Sequence, residues 1–123
     1  MSTTDPSRVW RYEHVVDYVY DGDTIMGELD MGLGCYMRPI SLRLYGINAP
    51  ELRGTKDAVH EAALASRDNL RSLVNRGDVL TVMSYSWDKY SNRIDAVVYA
   101  PGDTTSLNQH QLDGGFAVVY LPG

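Results

Sequence analysis

The stretch RYEHVVDYVYDGDTIMGEL, residues 11–29, decides the fold of this chain. β-Branched and aromatic residues dominate its first half, and such residues favour strands. Asp21-Gly22 is a dipeptide that favours tight hairpin turns. We therefore predict a strand over residues 11–20, a turn, and a second strand over 24–29 that pairs with the first.

The rest of the chain predicts a small barrel with two helices. Apolar residues three and four positions apart indicate an amphipathic helix over 58–75, capped at Asp57 and stopped near Gly77. These apolar residues are Val59, Ala62, Ala63, Leu70, Leu73 and Val74. Further strands are predicted over 36–45, 79–85 and 94–100, with a short helix over 106–113 and an extended segment over 116–121. Pro39 marks an edge or a bulge in its strand. This order predicts an α+β fold, a five-stranded antiparallel β-barrel of the OB type with one long and one short helix.

Length and charge limit the kind of partner. At 123 residues the chain forms one domain, which we place over 11–123 after a frayed N-terminus of residues 1–10. A net charge of −5 argues against a broad basic surface for nucleic acid. Nine of the eleven cationic residues are nevertheless arginine, which grips phosphate with two parallel hydrogen bonds. We therefore expect a local positive cleft, with weak and salt-sensitive binding outside it.

Other residues argue against several alternative classes of protein. The single cysteine, Cys35, allows no internal disulfide, and we expect it to be buried as a small hydrophobe. His14, His60 and His110 lack metal-ligand spacing, so we place them on the surface or on helix faces. No apolar run reaches the roughly 20 residues of a membrane span, and the start of the chain lacks a signal-peptide core. We expect a cytoplasmic protein with no membrane partner.

Three short segments carry the residues suited to chemistry. The first, Asp21-Gly22-Asp23-Thr24, supplies oxygen ligands of the kind that a hard cation such as calcium prefers. The second runs from Arg43 to Glu51 and contains a guanidinium, the amide of Asn48 and a candidate general base. The third, Asp88-Lys89-Tyr90-Ser91-Asn92-Arg93, adds a second guanidinium. Together they predict a site that cleaves phosphodiesters.

With those segments in this order, the sequence resembles the staphylococcal nuclease (thermonuclease) family. The resemblance is carried by Asp-Gly-Asp-Thr at 21–24, Arg-Leu-x-Gly-x-x-x-Pro-Glu at 43–51 and Asp-Lys-Tyr at 88–90 followed by Arg93. Asn108 and the later Gly115-Phe116-Ala117 also match. The resemblance extends over about residues 15–120, and it implies an OB-fold enzyme that hydrolyses DNA and RNA with calcium.

Roles follow from the resemblance position by position. It implies that Asp23 is a calcium ligand, that Asp21 supports the metal site, and that Asn48 and the Ala49 carbonyl complete it. Glu51 becomes the base that orients or deprotonates the attacking water. The remaining roles are phosphate binding by Arg43 and Arg93, and a nucleotide pocket lined by Lys89, Tyr90 and Tyr120.

Two positions depart from the family pattern. Asn48 stands where the family has Asp, which removes one negative charge from the cation site. We expect calcium to bind more weakly, by about one or two orders of magnitude, because ligand charge is a main control of its affinity. The loop before Arg93 is one residue longer than the family pattern. Extra length in a hairpin loop costs little, so Arg93 can keep its place relative to the strand that follows.

Each segment taken alone also has an ordinary interpretation. Asp21-Gly22 is a common turn, Arg43 a common strand residue, Asp88 part of a polar turn, and Glu51 a possible local partner of Arg53. The alternative to an enzyme is therefore a catalytically weak or inactive OB-fold module that binds nucleic acid or protein. The joint presence of Arg43, Glu51 and Arg93 favours the enzyme, because a module that only binds needs no base between two arginines.

Overall fold

The computed structural model describes residues 10–52, 54, 56–88 and 90–120, and the predicted frayed segment lies outside them except for Trp10. The elements described are β1 (Trp10–Asp21), β2 (Thr24–Asp30), β3 (Tyr36–Leu44), β4 (Ile47–Asn48), α1 (Asp57–Leu73), β5 (Val79–Asp88), β6 (Arg93–Tyr99), α2 (Leu107–Asp113) and β7 (Val118–Val119). Among these described residues, no helix is both long and apolar enough to cross a membrane.

Five strands close into a barrel in the order β1-β2-β3-β6-β5. This confirms the predicted OB-type architecture, with one correction to strand direction. β3 and β6 run parallel, with Ser41 opposite Arg93 and Leu44 opposite Ala96, whereas the other neighbouring pairs are antiparallel. We predicted a barrel in which all neighbouring strands are antiparallel, and this was wrong for one pair. Because α1 and β5 lie between β3 and β6 in sequence, the chain returns to β6 in the same direction as β3.

The barrel core comes from alternate positions on the strands. In β2, Ile25, Gly27 and Leu29 are buried while their neighbours are partly exposed. The largest fully buried apolar side chains are Ile25, Ile40, Leu42, Leu44, Ile47, Leu70, Leu80, Leu107, Val82 and Val98. Full burial of one such side chain stabilises a fold by about 1.5–3 kcal/mol, so this shared interior fixes the register of the barrel.

The long helix α1 packs through a narrower stripe than its sequence predicted. Its buried residues are Ala63, Ser66 and Leu70, whereas Val59 and Ala62 are exposed. The predicted cap at Asp57 was also wrong, because the N-cap is Lys56 and makes no side-chain hydrogen bond there. α1 contacts β1 and α2, and this limited contact leaves its first turn outside the core.

Two predictions about single side chains were wrong. Cys35 is exposed in the turn between β2 and β3, where no apolar surface covers it. His14 is fully buried, because the alternation of β1 places it on the same inward face as Val16. Its Nε2 lies 3.0 Å from the Ile40 carbonyl, and among the described residues its Nδ1 has no hydrogen-bond partner. Burial lowers the pKa of this imidazole.

The C-terminal part of the described chain forms α2 and β7. α2 begins after Ser106, whose hydroxyl accepts a hydrogen bond from the Gln109 amide. β7 pairs with β4 in a two-stranded antiparallel sheet, which accounts for the predicted extended segment at 116–121 as far as residue 120. This small sheet brings Tyr120 beside the β3–β4 turn, where its amide donates to the Gly46 carbonyl.

Candidate active site

The acidic turn, Asp21–Thr24, lies between β1 and β2. The Asp23 amide donates to Asp21 Oδ1 at 3.1 Å, which closes the turn on itself. The buried Asp23 carboxylate accepts the Thr24 hydroxyl at Oδ1 and the Ala49 amide at Oδ2, at 3.1 and 2.9 Å. The second contact ties the turn to the segment after β4, so the Asp23 carboxylate lies next to the Ala49 backbone.

The Asp21 carboxyl lies in a setting that disfavours its charged form. Burial raises the pKa of Asp21 to about 7, and the neighbouring Asp23 carboxylate adds to the rise. Both causes disfavour the charged form of Asp21, because a second negative charge in a poorly solvated place has little compensation. Near neutral pH, Asp21 therefore carries less than a full negative charge.

A buried polar network supports the acidic turn from beneath. Gln111, fully buried on α2, donates through Nε2 to the Gly22 carbonyl at 2.7 Å and to the Ser66 carbonyl at 3.0 Å. Asn69 donates to Gln111 Oε1 at 2.6 Å, and the Ser66 hydroxyl donates to the Phe116 carbonyl at 2.8 Å. A Cβ at Gly22 would lie 1.8 Å from Ser66 Oγ, so only glycine fits here. Both helices thus hold the turn in place.

Arg43 joins the acidic turn to the β3–β4 connection. Its Nη1 donates to the Leu44 and Ile47 carbonyls, each at 3.0 Å, and lies 3.3 Å from Asp23 Oδ2. Its Nη2 donates to the Asn48 amide oxygen at 3.2 Å. With 22% of its side chain exposed, this guanidinium is fixed by four partners while one side still faces solvent.

Arg93 shares a cleft with Arg43. The cleft has a volume of about 320 Å³, and both arginines line it together with Tyr45, Asp95 and Tyr120. Arg93 Nε lies 3.3 Å from Asp95 Oδ1, and 45% of the Arg93 side chain is exposed. The parallel pairing of β3 with β6 sets Arg43 opposite Asp95, which explains why both arginines line the same cleft.

Other predicted residues lie apart from this cleft. Glu51 is exposed in the loop after β4, and among the described residues that line the cleft neither Glu51 nor Tyr90 appears. Tyr90 is 91% exposed in the β5–β6 hairpin, where its amide donates to Asp88 Oδ1. Hydrogen bonds from Ser91 and from this amide lower the pKa of Asp88. Lys89 lies outside the described residues.

The oxygen atoms near Arg43 are chemically suited to a hard cation. Asp21, Asp23 and Asn48 offer two carboxylates and an amide, which is the donor type that calcium prefers. Among the described residues, no group of three or more His, Cys, Asp and Glu side chains is arranged as metal ligands. Asn48 is exposed, and its amide oxygen is held by Arg43.

Sequence reasoning gave no role to several residues that shape the site. Gln111 and Ser66 lie in helical segments, where a polar residue usually indicates a solvated face. Asn108 is also buried, and its amide nitrogen donates to the Tyr45 and Ala96 carbonyls. One signal was available for Asn108 and Gln111: both fall on the side of α2 that carries Leu107.

The fold and the cleft together define a class of protein. A closed five-stranded barrel carries an acidic turn whose Asp23 contacts Arg43, and Arg43 shares a cleft with Arg93. Residues 41–122 match the family described as staphylococcal nuclease homologue, and the chain belongs to that family. No curated protein matched the chain. The family match includes Arg43, Asn48, Glu51 and Arg93, whereas the acidic turn precedes it.

Proposed function

We propose that the protein is a calcium-dependent phosphodiesterase that hydrolyses DNA, RNA or both. The observation that carries the proposal is the shared cleft of Arg43 and Arg93, in which Arg43 also contacts Asp23 and Asn48. Two fixed cationic groups beside a set of oxygen ligands match the needs of an anionic ester that resists attack by water. Membership of the nuclease family supports the same reaction class.

The arginines hold the phosphate and stabilise charge on it. In the transition state negative charge grows on the nonbridging oxygens, and donors that are already oriented stabilise it without reorganisation. Arg43 is oriented by the Leu44 and Ile47 carbonyls. Arg93 is oriented by Asp95, which is itself held by a 2.8 Å hydrogen bond from the Ser86 hydroxyl.

Glu51 is the proposed base. It is exposed at the start of the loop between β4 and α1 and near Ala49, whose amide is bound by Asp23. A base must come within about 3 Å of the water whose proton it takes, and such contacts often tighten only when substrate is bound. We therefore assign Glu51 to orient and deprotonate the attacking water after the ester enters the cleft.

Asp23, Asp21, Asn48 and the Ala49 carbonyl would hold the calcium ion. They fit it because they are oxygen donors gathered at one end of the barrel. A bound divalent cation supplies charge neutralisation of a nonbridging phosphate oxygen and a place for the attacking water. Asn48 binds through a neutral oxygen, so we assign this site a lower calcium affinity than one with three carboxylates.

The nucleotide pocket is assigned to Tyr120, Lys89 and Tyr90. Tyr120 lines the cleft and is half-exposed, which leaves its ring available to a base or sugar. Tyr90 lies in the hairpin that precedes Arg93, and we assign it and Lys89, its neighbour in sequence, to the substrate's outer edge.

The direct test incubates the purified protein with single-stranded DNA, plasmid and RNA in calcium and then in excess chelator. We expect cleavage in calcium, loss of cleavage with chelator, and a loss of about 100- to 10,000-fold in Glu51→Gln because a general base is removed. Glu61→Gln, an exposed carboxylate on α1, is the matched control and should cleave as the unmodified protein does.

One alternative has its own support. The acidic net charge and the position of Glu51 outside the cleft lining favour a module that binds nucleic acid without cleaving it. In the same experiment such a module would retain DNA in the presence of chelator and release no fragments. That result would replace the proposed hydrolysis by binding.

A further inference from the structure

A second cleft opens on the barrel beside the arginine cleft, and we call it the aromatic groove. Its volume is about 410 Å³, and its walls include Trp10, Tyr12, Tyr85 and Trp87. Leu29 and Ile94, both residues of the buried core, also line it. The volume falls within the roughly 300–1,000 Å³ that small-molecule sites occupy.

The groove exposes aromatic rings that a folded protein normally covers. The exposed fractions of Trp10, Tyr85 and Trp87 are 52%, 54% and 45%. Among the described residues that line the groove, none carries a charge. Large apolar surface that remains open to water in one continuous cleft is typical of a binding site.

The aromatic groove and the arginine cleft are linked by contacts between their lining residues. The ring of Tyr85 stacks on that of Tyr45, with centroids 4.4 Å apart and planes 7° from parallel, and Tyr45 lines the arginine cleft. The Ser86 hydroxyl, also in the groove, donates to Asp95, which lines the cleft and pairs with Arg93. A chain that places a phosphate between the arginines therefore has a path over Tyr45 and Tyr85 into the groove.

We propose that the aromatic groove binds the bases of a single-stranded nucleic acid whose scissile phosphate lies in the arginine cleft. This inference rests on the proposed function and specifies its substrate class. Every base has a flat π-face, so stacking on aromatic side chains binds single strands with little dependence on sequence. In a duplex the bases are stacked inside the helix and cannot stack on the aromatic rings. The phosphates lie outside, and neither an acidic protein nor an uncharged groove attracts them.

The dimensions favour this occupant over a second copy of the chain. A stable protein interface buries about 800 Å² on each partner. The groove is instead a pocket-sized cleft, and its Tyr85 stacks on Tyr45 of the arginine cleft. A neutral aromatic surface next to a cationic one matches a polymer with alternating bases and phosphates.

The test compares a substrate long enough to extend into the aromatic groove with one that occupies the arginine cleft alone. One is an oligothymidylate of about ten nucleotides, within the site sizes of single-strand binders. The other is the nitrophenyl ester of thymidine 5′-phosphate, a small diester that enters the arginine cleft alone. Both are assayed in calcium with Trp87→Ala, with Trp87→Phe and with Tyr18→Ala, a half-exposed control on β1 outside the groove.

We expect Trp87→Ala to raise KM for the oligothymidylate by about 5- to 100-fold, the loss of stacking for one base, and to leave kcat/KM for the ester unchanged. Trp87→Phe keeps a stacking ring and should restore most of the affinity. Tyr18→Ala should match the unmodified protein on both substrates. An unchanged KM for the oligothymidylate in Trp87→Ala, or an equal loss on the ester, would overturn the proposal.

A binding measurement separates this proposal from the proposed hydrolysis. If the unmodified protein cleaves neither substrate, quenching of tryptophan fluorescence by the oligothymidylate still reports on the groove. Quenching that needs a higher oligothymidylate concentration in Tyr85→Ala, which keeps both groove tryptophans, would support base binding while hydrolysis fails. Absence of quenching in the unmodified protein would overturn base binding. A dimer in sedimentation that Trp87→Ala dissociates, with no effect on the oligothymidylate, would assign the groove to a second copy instead.

Discussion

The two sides of the arginine cleft are built differently. On one side, Arg43 and the acidic turn are held by buried groups: Asp23, the backbone of β3 and β4, and the Gln111 network. On the other side, Arg93 is nearly half-exposed and pairs with Asp95 in an ion pair open to solvent. The hairpin before it includes Asn92 in the left-handed region, at φ 50°.

This difference shows how one site can be both oriented and adjustable. The Arg43 side is preorganised by the core, so the proposed cation ligands and the first guanidinium keep their places before substrate arrives. The Arg93 side depends on local contacts, and a loop one residue longer can be accommodated there. We expect losses of activity to be similar on the two sides and losses of stability to differ.

The largest expected effect comes from removing each guanidinium in turn. Arg43→Ala and Arg93→Ala should each lower the rate of DNA cleavage by about 100- to 1,000-fold, because each removes an oriented donor from the transition state. In urea unfolding, Arg43→Ala should lose about 1–3 kcal/mol, since partly buried carbonyls and the Asp23 carboxylate lose a donor. Arg93→Ala should lose at most about 1 kcal/mol, as exposed ion pairs do.

Arg38→Ala is the control for both variants. Arg38 is an exposed arginine on β3 that pairs with Glu28, away from the cleft. The Arg38→Ala variant should have the same activity and the same free energy of unfolding as the unmodified protein. Equal losses of stability in the Arg43 and Arg93 variants would remove the proposed difference between the two sides.

The next effect concerns the cation ligands on the preorganised side. Asn48→Asp should tighten calcium binding by about ten- to a hundredfold, because it restores a negative ligand to the site. The new carboxylate can still accept the hydrogen bond from Arg43, so the local geometry has no reason to change. Calorimetric titration of calcium measures the effect, and an unchanged affinity would mean that Asn48 is not a ligand.

The support beneath the acidic turn is tested at Gln111. Gln111→Leu removes four hydrogen bonds and leaves the buried Gly22 and Ser66 carbonyls without this donor. We expect a loss of about 1–3 kcal/mol in urea unfolding. Gln109→Leu, an exposed position on the same helix, should change stability by less than about 0.5 kcal/mol. Similar losses in both would show that the network does not hold the turn.

The smallest effect depends on pH. In chelator, Asp21 is ionised at pH 8 in both folded and unfolded chains, and the folded chain bears the cost of that charge. As the pH falls through about 7 the folded form takes up a proton first, so this cost disappears between pH 7 and the usual pKa of Asp near 3.9. Asp21→Asn should therefore be more stable than the unmodified protein at pH 8.

Solvent screening limits the difference in stability between Asp21→Asn and the unmodified protein. A full pKa difference of this kind would correspond to about 4 kcal/mol, and partial exposure of Asp21 reduces it to about 1–2 kcal/mol. Urea unfolding at pH 8 and pH 4 measures it, and the two proteins should converge at the lower pH. A constant difference at both pH values would contradict a raised pKa at Asp21.

The sequence predicted those features that depend on local pattern. Alternation in 11–29 predicted the first hairpin, and the turn dipeptide placed Asp21 and Asp23 at its end. Pairing between distant strands was beyond local pattern, so the parallel β3–β6 contact that sets Arg43 opposite Asp95 was missed. Gln111 was given no role and the inward His14 was placed wrongly, for a related reason. A polar residue in a core is explained by partners far away in sequence, here Gly22 and Ile40.

The central claim is that cation ligands and arginines form one site. The most direct measurement is the affinity of thymidine 5′-phosphate, determined by calorimetric titration with calcium and with chelator. If calcium and phosphate share the cleft, calcium should tighten nucleotide binding by about 5- to 150-fold, and the nucleotide should tighten calcium binding by the same factor. A nucleotide affinity that is the same with and without calcium would contradict the single site.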